Sequence, residues 1–424
     1  MLRECSSNSL SVFENLESNV RSYSRSFPVV FRKSAGAILE DEDGCEFIDF
    51  LAGAGVLNYG HNDPCLLNNA VQYLKANGII QGLDMATTAK REFIESFEET
   101  ILCPRGLTYK FQFTGPTGAN AVEAALKLAR KVTGRHSIIS FTNGYHGVSL
   151  GALAVTGNRY FRDAAGLPSG GAVFMPYDGY WGADKDTSEY LEKVLADASS
   201  GVDLPAAIIL ETVQADGGIN PASKGWLQSV ERLCRNNGIL LIVDDIQAGC
   251  GRTGNFFSFE FADLSPDIIL LSKSLSGSGL PLSLLLLKPE LDVWRPGEHS
   301  ATFRGNNLAF VTATAALRKY WTNEELSGRV TETGRVMSER LRQIAQKNQD
   351  HCFSVRGRGM MLGLDCGKGD LAHKIVHKAF EDGLVVERCG AEDQVVKLLP
   401  PLTIDWETLQ RGLDIFETSV HASA

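Results

Sequence analysis

The stretch ILLIVDDIQAGCGRTGNFFSFEFADLSPDIILLSK, residues 239–273, contains two apolar runs that each end in charged side chains. The first run ends at Asp244 and Asp245, and the second ends at Lys273. Runs that are apolar on both faces are typical of strands buried in a parallel sheet. Because open α/β sheets bind ligands at the carboxyl ends of their strands, we expect Asp244 and Lys273 at one ligand-binding edge.

Similar short apolar runs alternate with helical patterns from about residue 119 to residue 287. They are SIISF (137–141), AAIIL (206–210) and LSLLLL (282–287). The alternation predicts an α/β core with a mostly parallel sheet that helices cover on both faces. We assign residues 61–306 to this large domain.

The sequence pattern changes after Asn307. A long helical stretch runs to about Lys347, and further helices are predicted over about 371–381 and from Asp405 onward. The extended N-terminal segment 27–50 can add strands to this part of the chain. The mix predicts a smaller α+β domain that is discontinuous, formed by residues 1–60 and 307–424.

Composition excludes several classes of protein. The formal charge of −10 comes from mixed signs without a basic stripe, so nucleic acid is not an expected partner. The nine cysteines, Cys5 among them, are scattered and odd in number, so no disulfide framework or metal site is predicted. The first 18 residues lack the apolar core of a signal peptide, and no run is long enough to span a bilayer. We therefore expect a cytoplasmic protein with no membrane partner.

Residues 249–254 form a literal GxGxxG, which alone would suggest a dinucleotide site. That motif needs a helix that begins at its last glycine, so that the pyrophosphate meets the helix N-terminus. Here NFFSFEF (255–261) follows, and this segment is aromatic and irregular. We therefore do not expect a nicotinamide site.

Three further features could each be structural or functional. Lys273 precedes SLSGSG (274–279), so it is either a desolvated nucleophile or a strand-end lysine whose amine reaches solvent. In TGPTGANAVEAALKLARKVTG (114–134), the amides of Gly118 and Ala119 either face a phosphate or begin an ordinary capped helix. The turn FTNGYHG (141–147) presents Tyr145, whose ring could stack on a planar cofactor or simply belong to the turn.

The order of these features along the chain resembles the class III (ω-amino acid) aminotransferases of fold type I, over nearly the full length. The segments AGAGVLNYGHNDP (52–64), VRGRGMMLG (355–363) and KLLPPLTI (397–404) fit the same pattern. The resemblance implies the α/β fold of the type I pyridoxal-phosphate-dependent transferases, with pyridoxal 5'-phosphate as cofactor. It also implies small amino acids and keto acids as substrates.

The resemblance also implies a role for individual residues. Lys273, which lies 29 residues after Asp244, would hold the cofactor as a Schiff base and then act as the proton-transfer base. Asp244 would pair with the pyridinium nitrogen, and Thr302 would reach the phosphate across a dimer interface. A homodimer or a dimer of dimers is therefore expected. The positions that match the family's cofactor contacts are Gly118, Ala119, Tyr145, Asp244, Gln247, Lys273 and Thr302.

The chain departs from commoner family members where they bind substrate carboxylates. Val148 and Lys397 stand where many relatives have arginines, and a lysine cannot supply the planar bidentate fork of a guanidinium. Asp216 stands where relatives have a glutamate that is one methylene longer. The candidate substrate contacts are Tyr23, Arg25, Asp216, Arg304 and Lys397.

Within the family, ETVQADGGIN (211–220), WRPGEH (294–299) and VVKLLPPLTI (395–404) resemble the diaminobutyrate:2-oxoglutarate transaminase branch of ectoine-type pathways. That branch moves the amino group of L-glutamate to L-aspartate 4-semialdehyde, which gives L-2,4-diaminobutyrate and 2-oxoglutarate. Two alternatives stay open. One is another class III ω-aminotransferase that acts on ornithine, 4-aminobutyrate or diaminobutyrate for siderophores or antibiotics, and the other is an aminomutase or decarboxylase.

Overall fold

The computed structural model describes residues 10–166 and 170–424. Residues 1–9, which include Cys5 and half of the 18 residues considered above for a signal peptide, lie outside the described residues. In this part of the chain the strands are β1 (Phe31–Ala35), β2 (Ile38–Asp41), β3 (Glu46–Asp49), β4 (Lys110–Phe113), β5 (Ile138–Phe141), β6 (Ala172–Met175), β7 (Ala207–Leu210), β8 (Val213–Gln214), β9 (Asn220–Pro221), β10 (Leu240–Asp244), β11 (Ile268–Leu271), β12 (Leu284–Leu287), β13 (Ser354–Arg358), β14 (Met361–Asp365), β15 (Leu384–Val385), β16 (Glu387–Cys389) and β17 (Val395–Leu398). The α-helices are α1 (Ser11–Leu16), α2 (Tyr23–Ser26), α3 (Ala52–Gly55), α4 (Pro64–Lys75), α5 (Thr88–Phe97), α6 (Gly118–Thr133), α7 (Leu150–Ala154), α8 (Arg159–Asp163), α9 (Thr187–Ala196), α10 (Lys224–Asn237), α11 (Asn307–Tyr320), α12 (Glu325–Lys347), α13 (Gly369–Glu381) and α14 (Trp406–Ser423).

The largest sheet has the strand order β4-β12-β11-β10-β7-β5-β6. Its neighbouring strands run parallel except at β12, which is antiparallel to both β11 and β4. Every residue of β5, β7, β11 and β12 is buried, because strands that are apolar on both faces need cover on both faces. The predicted α/β core with a mostly parallel sheet is confirmed. The edge strands β4 and β6 lie outside the predicted runs, and both are less buried than the central strands.

Helix α6 begins at the predicted small-residue turn. The side chain of Thr117 caps it by accepting a hydrogen bond from the backbone amide of Asn120. Gly134 ends it with a φ of +70°, a conformation that glycine adopts without strain. The buried face of alanines and leucines packs on β10 and β11. This packing places the N-terminus of α6 beside the strands that carry Asp244 and Lys273.

Two smaller sheets flank the large one in sequence. The order β1-β2-β3-β15 joins N-terminal strands to a C-terminal strand, because β15 runs parallel to β3. The order β13-β14-β17-β16 is entirely antiparallel and comes from the C-terminal part of the chain. The division into residues 61–306 and residues 1–60 with 307–424 stays a prediction.

The helical stretch predicted up to about Lys347 is interrupted at residues 321–324 and forms two helices, α11 and α12. Trp321 is buried and its indole Nε1 donates a 2.7 Å hydrogen bond to the hydroxyl of Tyr59, which draws the chain into the core. The side chain of Asn323 then accepts a hydrogen bond from the amide of Glu325 at the start of α12. Among the described helices, none combines the length and the apolar character needed to cross a membrane.

The glycine-rich turn 249–254 leads into irregular structure, as its aromatic continuation predicts. Arg252 in this turn is fully buried and binds three distant parts of the chain. Its guanidinium donates to Oδ1 of Asn58 at 2.6 Å, to the carbonyl of Pro400 at 2.6 Å and to the carbonyl of Met360 at 3.3 Å. The turn therefore connects the large sheet to segments from both ends of the chain.

Candidate active site

Asp244 and Lys273 lie at the carboxyl edge of the large sheet. Strand β10 ends at Asp244, and its parallel neighbour β11 ends at Leu271, two residues before Lys273. The register pairs Asp244 with Leu270, so both side chains leave adjacent strands at the same edge. Both line a single pocket of about 200 Å³. The structure therefore brings together the acid and the lysine that end the two apolar runs.

The amine of Lys273 is held close to an N-terminal segment of the chain. Its Nζ donates a 2.9 Å hydrogen bond to the carbonyl of Ala54 in α3. The backbone of Lys273 has a φ of +47°, which is uncommon for a residue other than glycine, and it begins a short 3₁₀ turn. Burial lowers the pKa of the Lys273 amine below its ordinary value. A lowered pKa increases the fraction of neutral amine, which is the form that attacks a carbonyl or accepts a proton.

Two contacts fix the carboxylate of Asp244 at the pocket wall. His146 Nδ1 lies 2.7 Å from Asp244 Oδ2, and the amide of Ile246 donates to Oδ1 at 3.2 Å. Burial by itself would lower the pKa of His146, but the carboxylate of Asp244 outweighs it and raises that pKa. The carboxylate of Asp244 therefore favours the protonated form of His146.

Glu211 joins two turns that border the pocket. Its Oε1 accepts a 3.0 Å hydrogen bond from the amide of Tyr145, and its Oε2 accepts one of 3.1 Å from the amide of Ala215. Burial raises the pKa of Glu211 to about 7. One side chain thus sets the position of the turn with Tyr145 relative to the turn with Asp216.

The N-terminus of α6 opens onto the same pocket through Gly118 and Ala119. Neither backbone amide donates a hydrogen bond to any residue that the structure describes. Free amides at the positive end of a helix dipole form a site for an anionic group. Tyr145 and Gln247 also line this pocket.

A buried lysine lies beside this pocket, next to a neighbouring cleft of about 330 Å³ that Tyr23 and Asp216 line. Lys397 is fully buried, and its Nζ lies 2.8 Å from Asp216 Oδ1 and 2.9 Å from Glu387 Oε1. It also donates to Oε1 of Gln247 at 3.2 Å. The hydroxyl of Tyr23 donates to Glu387 Oε2 at 2.9 Å. Burial by itself would lower the pKa of Lys397, but the two carboxylates raise it well above its ordinary value.

Comparison with known proteins identifies the family. Residues 20–420 match the family described as Aminotransferase class-III. The chain belongs to the class-III aminotransferases. It is 78% identical over 423 residues to the uncharacterized aminotransferase y4qG of Sinorhizobium fredii, an alignment that covers 100% of this chain and 94% of that protein. It is also 57% identical over 411 residues to the diaminobutyrate--2-oxoglutarate transaminase of Halomonas elongata. That alignment covers 96% of this chain and 98% of the relative.

Among solved structures, this aminotransferase is similar to the ornithine aminotransferase of Toxoplasma gondii. The TM-score is 0.84 at 27% identity, over 97% of this chain and 94% of the other. The expected type I transferase fold is therefore confirmed, together with the expected family. Class-III aminotransferases depend on pyridoxal phosphate and act on small amino and keto acids, so these two expectations are confirmed as well.

The chemistry of the pocket fits this cofactor. Lys273 provides an amine that can condense with the aldehyde, and Asp244 provides a carboxylate for the pyridine nitrogen. The first turn of α6 provides free amides for the phosphate. The aromatic ring of Tyr145 lines the same pocket as all three.

Three predicted site residues lie apart from this pocket in the single chain. The guanidinium of Arg25 is exposed and binds the backbone carbonyls of residues 19 and 21. Arg304 lines a different cleft, 3.8 Å from Asp84. Neither arginine lines the pocket of Lys273 or the neighbouring cleft in the described chain, and their contacts with substrate stay predictions. Thr302 is exposed, and its contact across a dimer interface stays a prediction.

Sequence reasoning missed Glu387 and Glu211. Glu387 stands in the short strand β16, directly opposite Lys397 of β17. An acid and a lysine in two adjacent C-terminal apolar runs, VVERC and QVVKL, could have indicated this pair. Glu211 follows the buried strand β7 as Asp244 ends β10, so the rule of strand-end acids could have identified it.

Proposed function

We propose that this aminotransferase moves the amino group of L-glutamate to L-aspartate 4-semialdehyde, giving L-2,4-diaminobutyrate and 2-oxoglutarate, in a reversible reaction. The observation that carries the chemistry is the placement of Lys273 and Asp244 in one pocket with the free amides of α6. The substrates rest on relatives at 51–57% identity that are named diaminobutyrate--2-oxoglutarate transaminase, including those of Bordetella parapertussis and Oceanobacillus iheyensis. Each alignment covers nearly the full length of both proteins.

Pyridoxal phosphate, when bound, supplies an aldehyde that condenses with amines and a ring that withdraws electrons from the carbon that loses a proton. The residues that would hold it are Lys273 at the aldehyde, Asp244 at the ring nitrogen, Gln247 at the 3-oxygen, Tyr145 against the ring, and Gly118 and Ala119 at the phosphate. Thr302 of a second subunit would add a phosphate contact.

Lys273 performs the proton transfers in this proposal. Its amine lies in the pocket, and burial lowers its pKa, so the neutral form can accept a proton from the substrate carbon and return it to a neighbouring atom. The carbonyl of Ala54, 2.9 Å from Nζ, gives the amine a defined position when it is not bound to another group. A base that is already positioned avoids the entropy cost of bringing one from solution.

Asp244 supplies a fixed negative charge at the pocket wall. Its partner His146 holds this carboxylate in place, since Nδ1 of the imidazole lies 2.7 Å from Asp244 Oδ2. A fixed carboxylate favours a proton on a ring nitrogen opposite to it. Glu211 has a positioning role, since it connects the Tyr145 turn to the Asp216 turn.

We also propose that the enzyme works in the cytoplasm as a homodimer or a dimer of dimers, and that its product enters an ectoine-type pathway. The eight described cysteines are unpaired, as is usual in a reducing compartment. The exposure of Thr302 is compatible with a contact to a second subunit. Light scattering of the purified protein tests the oligomer, and ectoine content after deletion of the gene tests the pathway.

The test of the main proposal is a substrate panel with purified holoenzyme. L-2,4-diaminobutyrate, ornithine, 4-aminobutyrate and acetylornithine are each offered with 2-oxoglutarate, and glutamate formation is measured. We expect the highest kcat/KM with diaminobutyrate. A preference for any of the others contradicts the proposal, and turnover of diaminobutyrate that does not need oxoglutarate indicates a mutase or a decarboxylase.

A further inference from the structure

Lys397 is surrounded by more negative charge than it can neutralise. Asp216 and Glu387 both lie within ion-pair distance of its Nζ, so the formal charges of these three side chains add to −1. In the described residues, neither acid forms an ion pair with a second lysine or arginine. The amine of Lys273 donates to the carbonyl of Ala54 and forms no ion pair with either acid. Burial by itself would raise the pKa of Asp216, but the charge of Lys397 and, after it, that of Lys273 lower this pKa. In the holoenzyme the amine of Lys273 would be bound to the cofactor. The cluster therefore presents surplus negative charge to the cleft, and a carboxylate is a poor ligand for it.

The two acids differ in how firmly they are held. Glu387 is 9% exposed, and its two oxygens face Tyr23 and Lys397. It also stands opposite Lys397 in the β16–β17 ladder, so backbone pairing keeps these two side chains together. Glu387 can therefore neutralise Lys397 without help.

Asp216 is the acid that faces open space. Its side chain is 33% exposed, and it lines both the pocket of Lys273 and the neighbouring cleft. It lies in the turn between β8 and β9 rather than inside a ladder, and its Oδ1 lies 2.8 Å from Lys397 Nζ. A carboxylate in this position is available to a cationic group that enters the cleft.

We propose that Asp216 binds the ammonium group that the reaction does not transfer, and that Glu387 is the positioning residue that neutralises Lys397 and so leaves Asp216 available. This inference rests on the proposed function, because the diamino acid and the amino aldehyde both carry such an ammonium and glutamate has no second one. In this proposal Lys397 pairs with Glu387 inside the protein and does not bind a substrate carboxylate, which is the role that the sequence suggested for it. The ligand class is an α-ammonium group on a short ω-amino or ω-aldehyde chain.

A matched pair of substrates isolates this ammonium group. L-2,4-diaminobutyrate and 4-aminobutyrate have the same four-carbon chain, the same carboxylate and the same transferred amine, and they differ only in the α-ammonium. The ratio of their kcat/KM values with 2-oxoglutarate therefore measures recognition of that group. For wild type we expect the ratio to favour diaminobutyrate by about tenfold or more, the effect of one charged hydrogen bond.

The variants are Asp216→Asn and Glu387→Gln, with Asp393→Asn as the matched control. Asp393 lines the same cleft but pairs with Arg388 at its exposed rim, so its removal changes the local charge without touching the cluster. We expect Asp216→Asn and Glu387→Gln each to lower the ratio of kcat/KM for diaminobutyrate to kcat/KM for 4-aminobutyrate about tenfold, chiefly through a higher KM for diaminobutyrate. Glu387→Asp keeps the negative charge and should retain part of this preference. Asp393→Asn should change the ratio less than about twofold, because exposed charges are screened.

Three results would overturn the inference. One is an unchanged ratio in Asp216→Asn, another is an equal loss in Asp393→Asn, and the third is a wild-type ratio in a folded Glu387→Gln protein. Thermal unfolding of each holoenzyme confirms folding, and if Glu387→Gln does not fold, Glu387→Asp and Asp216→Asn decide the question. A wild-type enzyme that turns over no diaminobutyrate is a different outcome, since it overturns the proposed function itself.

Discussion

Replacement of Lys397 by methionine removes the only cation from a cluster of two acids. Methionine has nearly the volume of the lysine stem, so the change removes charge and leaves the packing largely intact. Glu387 then stays enclosed by β16 and β17 without an ionic partner, whereas Asp216 is one-third exposed and can be solvated. The cost therefore comes mainly from Glu387.

Loss of one partner of a buried ion pair costs about 3–5 kcal/mol, because the remaining charge is left without compensation. We expect Lys397→Met to lower the free energy of unfolding by about this amount, since Lys397 is fully buried. The effect should be constant between pH 6 and pH 9. The raised pKa of Lys397 means that its contribution is complete below the ordinary lysine value and is lost only as pH rises through the still higher folded value.

Urea unfolding followed by circular dichroism measures this change at fixed protein and cofactor concentration. The double variant Lys397→Met/Glu387→Gln serves as the control, because it removes the stranded charge and should recover most of the loss. A single variant as stable as wild type would refute the reasoning. A double variant no more stable than the single one would show that the loss comes from packing and not from charge.

Two further predictions concern buried titratable groups. His146→Gln removes the partner of Asp244. Because the pKa of His146 is raised, the stabilising contribution of this histidine is complete below pH 6.5 and is lost as pH rises through the folded value. The loss of Tm relative to wild type should therefore be larger at pH 6 than at pH 9. Burial raises the pKa of Asp245 to about 7, so the free energy of unfolding of the wild-type protein falls as pH rises from 3.8 to about 7. The Tm of Asp245→Asn should therefore increase relative to that of wild type between pH 5 and pH 8. Differential scanning calorimetry across pH checks both, and Tm differences that do not vary with pH contradict them.

The central strands were predictable because their signal is local. Five apolar runs correspond to β5, β7, β10, β11 and β12, and the rule for strand ends placed Asp244 and Lys273 at one edge. The edge strands β4 and β6 are short and only partly apolar, so periodicity does not separate them from loops. The break at Trp321 depends on a hydrogen bond to Tyr59, 262 residues away, and no local pattern encodes it.

The site was predictable where it follows the sheet and unpredictable where it depends on contacts between distant segments. Lys397 and Asp216 were candidates, but only the fold shows that they meet at 2.8 Å and that Glu387 shares the lysine. The glycine-rich turn was correctly predicted to open no helix, while the buried bonds of Arg252 needed the structure. Arg25 and Arg304 were chosen as candidate replacements for the family's carboxylate-binding arginines, and their contacts with substrate stay predictions.

The most direct test of the account is the identity of the lysine that binds pyridoxal phosphate. Borohydride reduction of the purified holoenzyme fixes the cofactor to its lysine, and peptide mass spectrometry then locates the modification. We predict the pyridoxyl group on Lys273, and we predict that Lys273→Ala loses both this modification and the visible absorption band. A modification on Lys397 or any other lysine, or an unchanged visible band in Lys273→Ala, would contradict the account.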